Sequence, residues 1–390
     1  MEMYCRQCEQ TAGGKACQVK GVCGKSPETS FWQDRLILGL IGLSGYGLTA
    51  WELGFRDKDI ERFVLKALFT TVTNVNFDAD RVREMLFLGQ KYKEQLKGMV
   101  LKANPEFRFK NSTLEIFSNY EFSPDPEKEK LRFGEKAMLK MFGEDEDIRS
   151  LRELLLYGLK GMAAYADHAT ILGYQDEKIT EFFYRGLASL GKENLSADDY
   201  LGLLMELGKV NLACLELLDQ AHTAHFGHPV PTPVWLGHEA GPAILVSGHD
   251  LLDLKQLLEQ TEGNGVKIYT HGEMLPAHGY PGLKCHPHLF GHYGSAWQNQ
   301  QEEFPDFPGA ILMTTNCLQK PRETYQDRIF TTGVVGWPGV VHIPEKNGRK
   351  DFSQVIEKAL SLKGFPERKE EKYVTVGFGH HTLTGVLEEI

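Results

Sequence analysis

Residues 243–273, AILVSGHDLLDLKQLLEQTEGNGVKIYTHGE, decide the fold class. AILVSG (243–248) is a short apolar run without polar alternation, as expected of a strand buried on both faces of a parallel sheet. Asp250 to Thr261 follows in helical rhythm, Gly263 and Gly265 end it, and VKIYTHGE (266–273) returns to strand. The alternation continues downstream. A helix is expected near 293–303, a third strand over GAILMTTNC (309–317), shorter strands at RIFTTG and VVHI, a helix over DFSQVIEKALSL and a strand over YVTVGFG. Alternating elements of this kind imply a doubly wound, Rossmann-like parallel α/β sheet.

Upstream of residue 225 the period changes to that of helices. Ser26-Pro27-Glu28 has the form of a helix start, with Ser26 as cap and Pro27 at the first helical position. That helix is expected to reach about Gly54. Its segment LILGLIGLSGYGLTAW (36–51) is too short and too glycine-rich for a membrane span, which needs about 20 apolar residues, and reads as a buried helix. Further helices are expected over 57–71, from Asp78 to about Asn104, from Asp147, over DEKITEFFYRGLASL and from Asp198. Residues 104–146 hold prolines and a charged run and read as a surface excursion with one short helix near 134–142. His225 to Pro242, with GHPVPTP and GHEAGP, reads as a linker. The expected organisation is a cysteine-rich loop over 1–26, an all-helical domain over 27–225, an α/β domain over 226–365, and the start of a second α/β domain over 366–390. The chain ends on HHTLTGVLEEI, a strand–turn–helix opening, and truncation of a longer protein is the expectation.

The 390 residues carry a net charge of -10 with a pI near 5.8 and no basic block. Nucleic acid and anionic membranes are therefore not expected as partners. No apolar leader precedes Cys5, so a reducing cytoplasmic location is expected.

Four of the seven cysteines fall in the first 23 residues, Cys5, Cys8, Cys17 and Cys23, spaced C-x2-C-x8-C-x5-C. Thiols packed this closely suit a disulfide pair, a zinc site or an iron–sulfur cluster. A reducing compartment disfavours disulfides. Structural zinc sites use two short paired knuckles, whereas here only Cys5 and Cys8 are paired, so a cluster is favoured over zinc. Cys214 lies among leucines of a helix and reads as core. Cys285 reads as incidental.

Ligands of open α/β sheets bind beyond the carboxyl ends of the strands. His249, Glu273 and Cys317 stand at or just past three such ends. Imidazole, carboxylate and thiolate are all competent iron ligands, and parallel strands would bring them to one edge. His271 and His278 are candidates for proton delivery near Glu273. Gly377-Phe378-Gly379 lacks the third glycine of a dinucleotide loop and reads as allowing close backbone approach to a site.

The opening YCRQCEQT with Cys17, GVCGK and SPET resembles the hybrid-cluster proteins, also called prismane proteins or hydroxylamine reductases. So do LYGLKGMAAYADHA, ILVSGHDLLDL, YTHGEMLPAH, HYGSAWQNQ, ILMTTNC and TTGVVGWPG. The resemblance covers essentially the whole chain. It implies that Cys5, Cys8, Cys17 and Cys23 bind a [4Fe-4S] cluster, and that His249, Glu273 and Cys317 are part of the ligand set of a hybrid [4Fe-2O-2S] cluster. The family's remaining ligands would lie in a third domain. It further implies reduction of hydroxylamine to ammonia and water, with nitric oxide as a second substrate, fed by an external electron-donor protein. The competing readings are a carbon monoxide dehydrogenase-type enzyme, whose additional N-terminal cysteines are absent here, and a zinc-binding or cubane-only electron-transfer or structural protein.

Overall fold

The computed structural model describes residues 3–8, 15–133, 142, 145–369 and 372–384. The helix expected near 134–142 falls almost wholly outside the described residues. The chain divides into two compact units, Met1–Leu218 and Asp219–Ile390.

The first unit is helical: α1 (Pro27–Glu52), α2 (Lys58–Phe69), α3 (Ala79–Ala103), α4 (Ser112–Asn119), α5 (Pro126–Phe133), α6 (Glu146–Ile171), α7 (Glu177–Leu190) and α8 (Ala197–Phe226), which carries the chain into the second unit. The starts follow from capping. Ser26 Oγ accepts from Thr29 N–H, and Asp57, Asp78, Asp145 and Asp176 each accept from the first free backbone N–H groups of their helices. α1 is the core of the unit. It packs against α3, α4 and α7, and 19 of its 26 residues are buried, so it has no solvent stripe to mark it as amphipathic. Its glycines serve close packing: a Cβ on Gly42 would stand 2.3 Å from the Phe117 carbonyl oxygen of α4. Among the described residues no helix is long and apolar enough to cross a membrane.

The second unit is built on a six-stranded sheet. Its strands are β2 (Ala243–Ser247), β3 (Lys267–His271), β4 (Leu289–His292), β5 (Ala310–Met313), β6 (Ile329–Thr332) and β7 (Val341–Ile343), in the order β4-β3-β2-β5-β6-β7, with every pairing parallel. Every residue of β2 and β5, the central pair, is buried. α9 (Leu251–Thr261), α10 (Pro281–Lys284), α11 (Gln300–Asp306) and α12 (Ser353–Ser361) intervene. Counted from the first of its own strands, the sheet runs 3-2-1-4-5-6, the doubly wound order. The order reverses between β2 and β5, so the crevice beyond their carboxyl ends is where a ligand of such a sheet sits.

One local reading needs correction. The stretch 225–242 is not linker throughout, because Thr232–Trp235 forms β1, which pairs antiparallel with β10 (Tyr373–Val376). Pro233 is tolerated because β1 has a single ladder partner, leaving one edge at which no ladder donor is needed. β10, which lies in the stretch 366–390, runs on through Gly377 to the short helix α13 (His380–Thr384). β4 and a two-residue hairpin, β8 (Glu345–Lys346) with β9 (Arg349–Lys350), were not legible locally.

Candidate metal centres

The N-terminal loop is short of regular structure, and each cysteine is placed by backbone bonds. Cys5 and Cys17 exchange two backbone hydrogen bonds of 3.0 Å, which sets these two thiol-bearing residues side by side. Gly24 adopts φ +95° and closes a tight turn onto the Gly21 carbonyl, carrying Cys23. Cys5 and Cys17 are buried, Cys8 and Cys23 half-buried, and none of the four is in a disulfide.

A buried polar network ties this loop to α1 and α6. Tyr157 Oη donates to the Arg6 carbonyl (3.0 Å), Arg6 pairs with Glu153 (2.6 Å), and Lys160 Nζ donates to the Gln7 carbonyl (3.2 Å) and to its side chain. Gln7 donates in turn to Asp34, and Lys25 to Gln33. Lys25, Asp34, Arg35 and Lys160 are all at most 3% exposed. Burial pushes the Asp34 carboxyl up to about 6, against the pull of Arg35, Gln7, Lys160 and Lys25. Burial and then Lys25 push the Lys160 ammonium down to about 7, opposed by Cys5, Asp34 and Cys8. Lys25 and Lys160 are therefore buried beside Asp34, with the thiols of Cys5 and Cys8 next to Lys160. Buried cations without matching anions are costly, and an anionic thiolate-bound cluster supplies that charge. On this ground the donor set fits an iron–sulfur cluster.

The second group lies within the Asp219–Ile390 unit, at the switch point. Gly248 (φ +110°) ends β2, and a Cβ there would fall 2.4 Å from Thr314 Oγ1 and 2.6 Å from Thr315 N. This closeness lets the loop after β5 clamp the loop after β2. Thr315 Oγ1 accepts from His249 N–H at 2.8 Å and meets His249 Nδ1 at 2.9 Å, while Asp250 N–H donates to Thr314 Oγ1 at 3.3 Å. With Nδ1 engaged, Nε2 is turned to Glu273 Oε2, 3.3 Å away. Burial lowers the His249 pKa, with Glu273 opposing, which favours the neutral imidazole that metals bind. Glu273 stands not on a strand but on the 3-10 turn Gly272–Gly279 that follows β3. Cys317 lies on the loop beyond β5, where burial and then Glu273 push its thiol up to about 11. Gln300 of α11 holds that loop, donating to the Cys317 carbonyl (2.5 Å) and accepting from Gln319 N–H (3.3 Å). The sheet thus gathers an imidazole, a carboxylate and a thiol from three separate loops, a hard and soft donor mix suited to iron. A bound metal would offset the proton-holding of the thiol, since metal binding releases that proton.

The two candidate proton carriers have structural partners beneath this edge. His271 is fully buried between Ser247 Oγ (3.1 Å) and Glu303 Oε2 (2.9 Å). His278 Nε2 meets Thr270 Oγ1 at 2.9 Å, and burial pushes its pKa down to about 4. His292 Nδ1 shares the same hydroxyl (2.9 Å). Cys214 is buried against the Met162 carbonyl with its thiol pushed up to about 12, and Cys285 is exposed. The buried Lys25, Asp34 and Lys160 were missed by sequence reasoning. Their only signal was a lysine inside the apolar run of α6 and an Asp-Arg pair just before that of α1.

One unit thus carries the four-thiol loop, and the other carries mixed donors at the switch point of its doubly wound sheet. The family model for the Prismane/CO dehydrogenase family matches residues 3–388, and the chain belongs to that family. It is 50% identical over its whole length to a hydroxylamine reductase of Thermodesulfovibrio yellowstonii and 49% identical to those of Syntrophobacter fumaroxidans and Methanocella arvoryzae, covering 70% of each. By the names those relatives carry, the chain is an enzyme of the oxidoreductase class. Among solved structures it is similar to carbon monoxide dehydrogenase IV of Carboxydothermus hydrogenoformans, at 15% identity and a TM-score of 0.41. The match covers 99% of this chain and 59% of that one.

Proposed function

We propose that the chain is the cluster-binding portion of a reductase that converts hydroxylamine to ammonia and water, with nitric oxide as a second substrate. Cys5, Cys8, Cys17 and Cys23 hold a [4Fe-4S] cluster. His249, Glu273 and Cys317 hold part of a hybrid [4Fe-2O-2S] centre whose other ligands lie outside this set. The observation that carries the reading is the arrival of His249, Glu273 and Cys317 at one switch point from three loops.

The reaction NH2OH + 2 e⁻ + 2 H⁺ → NH3 + H2O breaks one N–O bond and needs two electrons and two protons. When bound, iron at this centre would relay the two electrons from an external donor to the N–O bond. The protein's own part is positional. Thr315 fixes the orientation of the His249 ring, Gln300 fixes the Cys317 loop, and Glu273 faces His249 with a side chain able to hold iron. The half-exposed Cys8 and Cys23 mark the side at which an external electron-donor protein would approach the N-terminal cluster. The buried Lys25 and Lys160 favour the extra negative charge of the reduced cluster.

The test is anaerobic turnover of hydroxylamine by the iron-loaded protein with a reduced viologen dye as donor. Ammonia should appear one for one with hydroxylamine consumed, and His249→Ala should abolish it. Undiminished turnover in that variant would overturn the reading.

A further inference from the structure

The second unit carries another group of metal-ligating side chains, His228, His380 and His381, away from the switch point in sequence and in partners. All three are exposed, and one ring nitrogen from each lies within 4.8 Å of the others. The rings of His228 and His381 are 4.1 Å apart between centroids, those of His380 and His381 4.3 Å, and those of His228 and His380 6.0 Å. We propose that they form a binding site for a late first-row divalent cation, zinc being the representative ion.

The gathering is a product of the fold. His228 precedes β1, and His380 and His381 follow β10, so the β1–β10 ladder ties the two segments together across about 150 residues of chain. Beyond the ladder the backbones approach more closely than side chains would allow. Gly377 (φ +90°) would place a Cβ 2.1 Å from the Val230 carbonyl oxygen, and Gly279 would place one 2.8 Å from the Gly377 Cα. Val230 N–H donates to the Gly279 carbonyl (2.9 Å), locking the third segment into the stack. The glycines of Gly377-Phe378-Gly379 therefore hold His228 against His380 and His381.

The donor chemistry selects the ion. Three imidazoles with no carboxylate in the set suit zinc, nickel or copper, whereas calcium and magnesium require oxygen ligands. Three protein donors leave a fourth position for water. The site shares no ligand with either proposed iron centre.

The test adds zinc in several-fold excess to the purified protein, removes the loosely held ion by dialysis, and counts zinc per chain for wild type and for the paired variant His228→Ala/His381→Ala. Exposed positions should tolerate these changes, and equal melting temperatures of the metal-free forms check this. The wild type should retain about one zinc more than the variant, and zinc X-ray absorption should show the difference as a nitrogen shell at about 2.0–2.1 Å. Equal zinc retention would overturn the proposal. So would a difference spectrum dominated by sulfur at about 2.3 Å, which would place the extra ion on cysteines.

Discussion

His249 Nε2 and Glu273 Oε2 face each other across 3.3 Å although they stand on the loops after two different strands. The pairing exists because β2 and β3 are parallel neighbours in register, Ser247 opposite His271, so the two residues lie equally far beyond the strand ends. Neither residue is held by the other alone: Thr315 holds the imidazole, and the Gly272–Gly279 turn holds the carboxylate.

Replacing Glu273 by Ala should therefore remove one donor without moving His249. The expected result is loss of iron from this centre with the N-terminal iron retained. Iron analysis and Mössbauer spectroscopy of wild type and variant check it. Loss of both iron pools together would contradict the separation of the two donor sets.

Lys160 is the buried cation that bonds the segment between Cys5 and Cys8. Lys160→Met should make the N-terminal cluster harder to reduce, because a positive charge that favours the reduced form is gone. An interaction of about 1.4 kcal/mol, modest for a buried unit charge, corresponds to about 59 mV for one electron. The midpoint should shift to more negative values by roughly that amount in an EPR-monitored titration. An unchanged midpoint would show that Lys160 serves packing only.

His278 and His292 are buried neutral on a single threonine hydroxyl, with pKa values pushed down to about 4 and about 3, chiefly by burial. In the unfolded chain both titrate near 6.5. Between those values the unfolded chain binds more protons than the folded one, so stability falls as pH falls. Denaturant unfolding should give a stability independent of these groups above about pH 6.5 and a progressive loss from there toward pH 4. His292→Asn should flatten part of that slope.

Glycines in helices should divide by what surrounds them. Gly42→Ala drives a Cβ into the Phe117 carbonyl and should destabilise the helical unit by about 1–3 kcal/mol. Gly98→Ala, on the exposed side of α3 with nothing within 4 Å, should stabilise it by about 0.5–1 kcal/mol. Thermal unfolding of the two variants distinguishes the cases by sign.

Much of this layout could be read without coordinates where a signal was local. The apolar run 243–248, the caps Ser26, Asp57 and Asp78, and the glycines after α9 each act within a few residues, and the elements start or stop there. The placement of His249, Glu273 and Cys317 at one edge was legible because parallel strands send every following loop to the same side. What escaped depended on distant partners. TPVW is a strand only because YVTV, some 140 residues on, pairs with it, and two prolines disguise it as linker. LFGH forms an edge strand too short to show a period. The charges of Lys25 and Lys160 are ordinary in sequence, and their burial follows from the helices that close over them.

The central claim is that the N-terminal thiols hold iron, and metal analysis of anaerobically purified protein tests it most directly. The account predicts about four irons and four acid-labile sulfides per chain assignable to this loop, brown colour, and loss of that iron in Cys8→Ser and Cys23→Ser. A well-folded, colourless protein carrying zinc on those cysteines and no iron would contradict it.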